Sequence, residues 1–212
     1  MSQQGILTII SGFSGSGKGT IVRELMAQHP DEFALSISAT TRAPREGEKE
    51  GVSYFFKSRE AFEQMILQDE LLEYAQYVDN YYGTPRAYVD RQLAAGKNVI
   101  LEIEVQGAMK IREKYPDTLL LFVTPPSAEE LKQRLVGRDT ETAEVILSRL
   151  SRAYEEADGC EAYDYLVIND QLDACVRQVY DLIQNEKHRM VYNMDRIHRI
   201  KEELRAFSKG EH

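Results

Sequence analysis

The sequence has two cysteines, no basic excess and no apolar run long enough to cross a bilayer, and each shortage removes a class of protein. Cys160 and Cys175 lack C-x-x-C spacing and sit among acidic and apolar residues, so neither a disulfide framework nor a zinc site is expected. Lys and Arg number 26 against 35 Asp and Glu, a formal net charge of -9, which disfavours a general surface for nucleic acid or anionic lipid. Any anion must be caught locally. A membrane helix needs roughly 18 consecutive apolar residues, and MSQQG lacks the basic start of a secretory signal. These features predict a soluble, cytoplasmic protein with no membrane or nucleic-acid partner. At 212 residues the chain suits one α/β domain with room for a smaller insert.

What is present is an alternation. Short β-rich runs, ILTII (6–10), NVILEIEV (98–105), TLLLFVT (118–124) and DYLVI (164–168), are separated by helical patterns such as SAEELKQRLVGR and TAEVILSRLSRAYEEA. This order predicts βαβ units, a parallel sheet with helices on both faces. Between Ser36 and Gly96 the texture changes to the polar SISATTRAPREGEKEGVSYFF, then a helical AFEQMILQDELLEYA and the cluster NYYGT, which predicts an inserted, partly antiparallel subdomain. GRDTET (137–142) joins two arginine-bearing helices and reads as a mobile loop. From Gln171 to about Lys209 the spacing predicts one long helix. Leu172, Val176, Val179 and Ile183 begin its apolar stripe, and Met190, Met194, Ile197, Ile200 and Leu204 continue it. The stripe is expected to pack on the body or on a sister subunit, which leaves a homo-oligomer open.

GFSGSGKGT (12–20) lies between the first β-rich run and the helical TIVRELMAQH. A strand, a glycine-rich turn and a helix aim backbone N–H groups and a positive helix end at one point, as a polyphosphate requires. Gly12, Gly15 and Gly17 permit positive φ and close approach, and Lys18 can extend to the β- and γ-phosphates. With Phe13, Ser14 and Ser16 they form a site for a nucleoside triphosphate; the alternative is a plain strand-to-helix turn. The pattern G-x-x-x-x-G-K-[ST] calls for a hydroxyl after the lysine as a Mg²⁺ ligand, and Gly19 stands there instead. Thr20 lies one position further round the helix and is better aimed at a phosphate. Mg²⁺ would then be held by substrate phosphate oxygens and water.

A second anion site is predicted in the insert. SISATTRAPR sets Arg42 and Arg45 three apart beside Ser38, Thr40 and Thr41, and guanidinium forks with hydroxyls suit a phosphate. The alternative is that these arginines are solvated charges facing GEKE (47–50).

Taken with LLEYAQYVDNYYGT, LEIEVQGA, RLVGRDTETAEVILSRL and VINDQLDACV, these motifs make the chain similar to guanylate kinase over roughly residues 5–185. The resemblance implies a P-loop NTPase-type core (5–35 and 97–185), a GMP-binding insert (about 36–96), a lid (about 134–152) and a C-terminal helical extension (186–212). It implies transfer of the γ-phosphoryl group of ATP to GMP, with Mg²⁺. By the same resemblance Ser38, Arg42, Arg45, Tyr54, Glu73, Tyr82, Thr84 and Glu104 line the GMP pocket, Glu73 reading the guanine edge. Arg134, Arg138 and Arg149 meet the ATP phosphates, and Asn169 with Asp170 lies near the adenine. Lys18, Arg42 and the three lid arginines are the implied catalytic residues. On local sequence alone Glu73 reads as a charge at an exposed helix end.

Three places depart from the family's common pattern: Gly19 for Ser, Glu102 and Glu104 for Asp, and Thr84 for Ser. The last is harmless, whereas the extra methylene of a glutamate leaves open whether Glu102 or Glu104 contacts metal or base. Two other readings remain. A catalytically inactive interaction module would show a degenerate phosphate loop and missing lid arginines; a GTPase would need an N-K-x-D motif, which is absent. A GMP phosphate oxygen is already anionic at neutral pH, so none of the four histidines is given the role of general base.

Overall fold

The computed structural model describes residues 4–77, 79–137 and 143–208. ILTII builds β1 (Leu7–Gly12), the central strand of a parallel sheet. The sheet runs β2 (Phe33–Leu35), β7 (Asn98–Glu102), β1, β8 (Leu119–Thr124), β9 (Tyr165–Ile168). Continuous apolar runs mark strands covered on both faces, and adjacent Ile9 and Ile10 are both fully buried. Ile10 faces α1 (Lys18–Gln28) and α7 (Leu172–Glu186) through Ile21, Val176 and Val179. Ile9 faces α3 (Arg86–Ala94) and α4 (Val105–Lys114) through Val89 and Ala108. Because all five strands are parallel, Gly12, Glu102 and Asn169 come to one rim, where open α/β sheets bind ligands.

Residues 39–85 carry a second sheet in the order β4 (Phe55–Phe56), β3 (Ala39–Thr40), β6 (Asn80–Pro85), β5 (Leu71–Tyr77). Its β3–β4 pair is parallel and the others antiparallel. Phe62 of α2 (Arg59–Leu67) fills its small core with Ala39 and Leu71. The helix expected over AFEQMILQDELLEYA therefore stops at Leu67. Asp69 turns the chain at φ 51°, and LLEYAQY is a strand because pairing with β6, invisible in the local leucine spacing, decides its state.

The run NVILEIEV ends as a strand at Glu102, with α4 starting three residues later. On either side of the loop expected over 137–142 lie α5 (Ala128–Val136) and α6 (Ala143–Ala157); of that loop only Gly137 is among the described residues. The single C-terminal helix is also corrected. After α7 come a 3-10 turn (Met190–Tyr192) and α8 (Met194–Ser208). Asn193 Nδ2 donates to the carbonyls of Lys187 and Arg189, both at 2.8 Å, and so satisfies the end of the first helix. Both cysteines are free thiols, and among the described residues no helix is long and apolar enough to cross a membrane.

Candidate active site

β1 delivers its last residue, Gly12, at φ +145°, where an added Cβ would lie 1.9 Å from the carbonyl oxygen of Val123. No side chain fits. Gly17 opens α1 at φ +91°, and a Cβ there would meet Asn169 Nδ2 at 2.3 Å. Between them Phe13, Ser14, Gly15 and Ser16 form a turn in which the Ser16 N–H donates to Phe13 O at 3.0 Å. Gly17 brings no side-chain cap, so the positive end of α1 stays open to an anion. Ser16 Oγ is buried with no hydrogen-bond partner among the described residues. Lys18 Nζ donates to the carbonyls of Gly12 and Phe13, at 2.6 and 3.1 Å, which draws the ammonium across the loop's mouth.

The loop is braced from behind. Asn169 Nδ2 donates to Ser16 O at 2.8 Å, and Arg134 reaches Ser16 O at 3.4 Å and Asn169 O at 2.9 Å. Asp170 beside them is exposed. From α6, Arg149 Nη1 approaches Ser14 Oγ at 3.4 Å; Arg138 lies outside the described residues. At Gly19 an added Cβ would stand 3.4 Å from Glu102 Oε1, so the longer carboxylate borders the space a side chain there would enter. Burial pushes the Glu102 carboxyl above the usual glutamate range, against the pull of Lys18 and Arg23. Thr20 is exposed and accepts a hydrogen bond from Arg23 Nη2 at 3.2 Å. Among the described residues no group of three or more His, Cys, Asp or Glu is placed to hold a metal.

The second sheet aims another set of groups. Leu71 pairs with Pro85 but Tyr74 with Gly83, so β5 carries an extra residue, and a bulge of this kind re-aims side chains. Glu73 lies within it. Thr84 Oγ1 donates to Glu73 Oε1 at 2.8 Å, and a Cβ on Gly107 of α4 would sit 3.5 Å from Glu73 Oε2. Glu73 is thus a half-buried strand carboxylate and not a helix-end charge. Burial raises its pKa despite the Thr84 hydroxyl and the Lys110 charge. Strand alternation puts Tyr82 on the face of Thr84, while Tyr81 points to the opposite face and stacks on Phe62 at 5.3 Å. Tyr82 meets the edge of Tyr54 at 6.1 Å, and the Arg42 guanidinium lies 5.3 Å above the Tyr54 ring. Ser38 enters β3 with its carbonyl accepting from the Phe55 N–H at 2.9 Å. Arg45 is exposed. Arg42 does face GEKE, donating to Glu48 at 2.7 Å, yet its side chain is only 14% exposed and so is not a solvated charge.

A cleft of about 580 Å³ opens beside the phosphate loop, and of the second sheet only Tyr77 lines it among the described residues; Ser38, Arg42, Arg45, Tyr54, Glu73, Tyr82 and Thr84 lie outside its lining. Gly12, Ser14 and Lys18 line one wall, Tyr77 at the end of β5 another, with Glu102 and Glu104 beneath and Arg149 and Arg152 of α6 above. Glu104 accepts from Arg152 Nη2 at 2.5 Å. Tyr77, Arg152 and Glu48 were missing from the sequence reading. Arg152 is within its reach, three residues after Arg149 on the same helix; Tyr77 lies two residues beyond the expected helix AFEQMILQDELLEYA, and Glu48 enters only as part of GEKE, the stretch that Arg42 and Arg45 face.

Comparison with known proteins converges on one family. The guanylate kinase family model matches residues 4–186. The chain is 51% identical over 185 residues to a guanylate kinase of Bacillus cereus, covering 87% of this chain and 90% of the relative. It is 48% identical over 205 residues to one of Streptococcus mutans, covering 96% and 98%. The crystal structure of guanylate kinase from Anaplasma phagocytophilum superposes with a TM-score of 0.68 at 30% identity, covering 88% of each chain.

Proposed function

The chain belongs to the guanylate kinase family, and from that premise we propose which of its residues carry the reaction. The enzyme transfers the γ-phosphoryl group of ATP to GMP, giving ADP and GDP. In such transfers charge sits on the equatorial oxygens of the moving group, so catalysis is chiefly positioning and neutralisation by cations. We assign the ATP phosphates to residues 12–20, Lys18 exchanging the Gly12 and Phe13 carbonyls for phosphate oxygens, and the adenine to the side of Asn169 and Asp170. Arg149 neutralises the transferred group; Arg138 and Arg134 are added by family resemblance, and Arg134 would have to leave its brace on Ser16 O and Asn169 O. Arg42, Arg45, Tyr54 and Tyr82 take the acceptor phosphate, and Ser38, Glu73, Thr84 and Glu104 take the base. Mg²⁺, when bound, screens the polyphosphate charge. With no hydroxyl at position 19, the ion would be held by nucleotide oxygens and water, with Glu102 the carboxylate that borders the position. A cytoplasmic location completes the proposal, with a homo-oligomer as one way the exposed stripe of α8 would be covered.

The observation that carries this reading is a cleft lined both by the phosphate loop and by Tyr77 at the end of the strand bearing Glu73. An inactive interaction module has no use for Lys18, Arg134 and Arg149 around such a loop. Guanine offers N1–H and an exocyclic amine side by side to a carboxylate, whereas adenine has an acceptor at N1. AMP would leave Glu73 desolvated with only the Thr84 hydroxyl as donor, and the lost contacts would cost about 1–3 kcal/mol. Glu73→Gln is expected to lower kcat/KM for GMP by about tenfold or more and to narrow the GMP to AMP ratio, with the KM for ATP unchanged. An unmoved ratio would transfer the base-reading role to Glu104.

A further inference from the structure

The loop after β3 contains a short circuit of hydrogen bonds centred on one acid. Glu48 Oε1 accepts from Arg42 Nη2 at 2.7 Å, and Oε2 accepts from the backbone N–H of Arg45, also at 2.7 Å. In return the Glu48 N–H donates to Arg45 O at 3.1 Å. The pair is sheltered, with side-chain exposures of 14% for Arg42 and 21% for Glu48. The other arm of the guanidinium is held too, Nη1 donating to Ala43 O at 2.8 Å while the plane lies over Tyr54 at 5.3 Å. Hydrogen bonds from Arg42 and from the Arg45 backbone hold the Glu48 carboxyl below the usual glutamate range, so it is ionised at neutral pH.

We propose that Glu48 is a positioning residue for the acceptor phosphate: one carboxylate ties the Arg42 fork to the main chain at Arg45 and so builds the clamp before GMP arrives. The inference rests on the assignment of the GMP phosphate to Arg42 and Arg45. Two physical points favour it over a carboxylate that merely occupies the phosphate's place. First, Glu48 is wired to the main chain through both its side chain and its own N–H, so displacing it would undo the turn that carries Arg45. Second, a guanidinium has five N–H donors, so the contacts to Glu48 and Ala43 do not exhaust it, and an incoming anion can share the fork. The electrostatics agree. Two arginines and one glutamate leave a net +1, enough to attract a phosphate while relieving the repulsion between cations in the empty clamp. Preorganisation of this kind lowers the ordering cost of binding, so its loss acts on affinity.

The test compares Glu48→Gln, Glu46→Gln and Arg42→Gln by steady-state kinetics in both substrates and by thermal unfolding. Glu46 is an exposed acid of the same loop and controls for its charge. Glu48→Gln is expected to raise the KM for GMP about tenfold, the scale of one charge-assisted hydrogen bond, with kcat and the KM for ATP within about twofold of wild type. Glu46→Gln should match wild type. Should Glu48→Gln fail to fold, Glu48→Asp keeps the charge but shortens the reach, and it is expected to raise the KM for GMP severalfold. An unchanged GMP KM in the folded Glu48 variant overturns the proposal. A lowered GMP KM also overturns it, by making Glu48 a competitor of the phosphate. If Arg42→Gln too leaves GMP binding intact, the assignment of the clamp itself fails; if Arg42→Gln weakens it and the Glu48 variant does not, only the role of Glu48 falls.

Discussion

At the scale of single residues, the carboxylate of Glu102 and the bare backbone of Gly19 form a matched pair, since a Cβ at position 19 would stand 3.4 Å from Glu102 Oε1 and a hydroxyl would go further. That separation is ordinary contact, so Gly19→Ser is expected to be accommodated with its hydroxyl within reach of the Glu102 carboxylate, and shortening Glu102 to Asp is expected to change its effect. The double-mutant cycle in kcat/KM, repeated for Mn²⁺ affinity in the presence of ADP, should give a coupling of about 0.5–3 kcal/mol; additive effects would separate the two positions. Glu73 pays a stability penalty for its place. Burial disfavours its ionised form, so the folded chain holds that proton more tightly than the unfolded one. Below the ordinary glutamate range both states are protonated and the penalty vanishes; as pH rises through that range the unfolded chain ionises first and stability falls. Ligand-free Glu73→Gln should melt above wild type at neutral pH, with the gain fading on acidification, and a lower Tm at neutral pH would contradict this. The glycines and Lys18 were legible in the sequence because a phosphate loop makes demands on backbone that few residues meet. The partner of Arg42 was not, because a charge finds its partner through turn geometry that composition does not encode.

Elements were read well where burial on both faces leaves a continuous apolar run and badly where tertiary pairing decides. β7, β8 and β9 fall within runs visible in the sequence, although β9 is buried only at Val167, and β1 overruns ILTII by Ser11 and Gly12. The strand bearing Glu73 was mistaken for helix, since its leucine spacing suits either state until β6 pairs with it. The C-terminal stripe misled in another way, its spacing passing unbroken through a junction made by Asn193 and by Tyr192, whose hydroxyl donates to Asp117 O at 2.5 Å. The two halves now differ in surroundings: Ile183 is fully buried in the main core, whereas Ile200 is 42% exposed. Ile183→Ala is expected to cost about 2–5 kcal/mol in denaturant unfolding. Ile200→Ser should stay within about 0.5 kcal/mol in dilute monomer. A large loss from Ile200→Ser would mean that α8 is covered.

Over the whole molecule, the sheet rim, the insert and the lid helices converge on one cleft, and the contacts between them suggest how water is kept from it. Phe13 of the phosphate loop packs with Leu131, Leu135, Ile146, Leu150 and Ala153, so α5 and α6 are seated on the loop they serve. The Arg152–Glu104 pair reaches from α6 to the start of α4 beside the same cleft. An open site would waste ATP on water, and closure over both substrates is the protection such enzymes use. Family, fold and donor loop were legible at this scale because six motifs occur in order along the chain; the way the insert closes on the loop depends on packing that no motif records. On this assignment of the cleft, ATP turnover is contingent on GMP. The most direct test is to quantify ADP and GDP together in one reaction, with and without GMP. One GDP should appear for each ADP, and ADP release should be negligible until GMP is added. ADP formed at a comparable rate without GMP, or in clear excess over GDP, would contradict it.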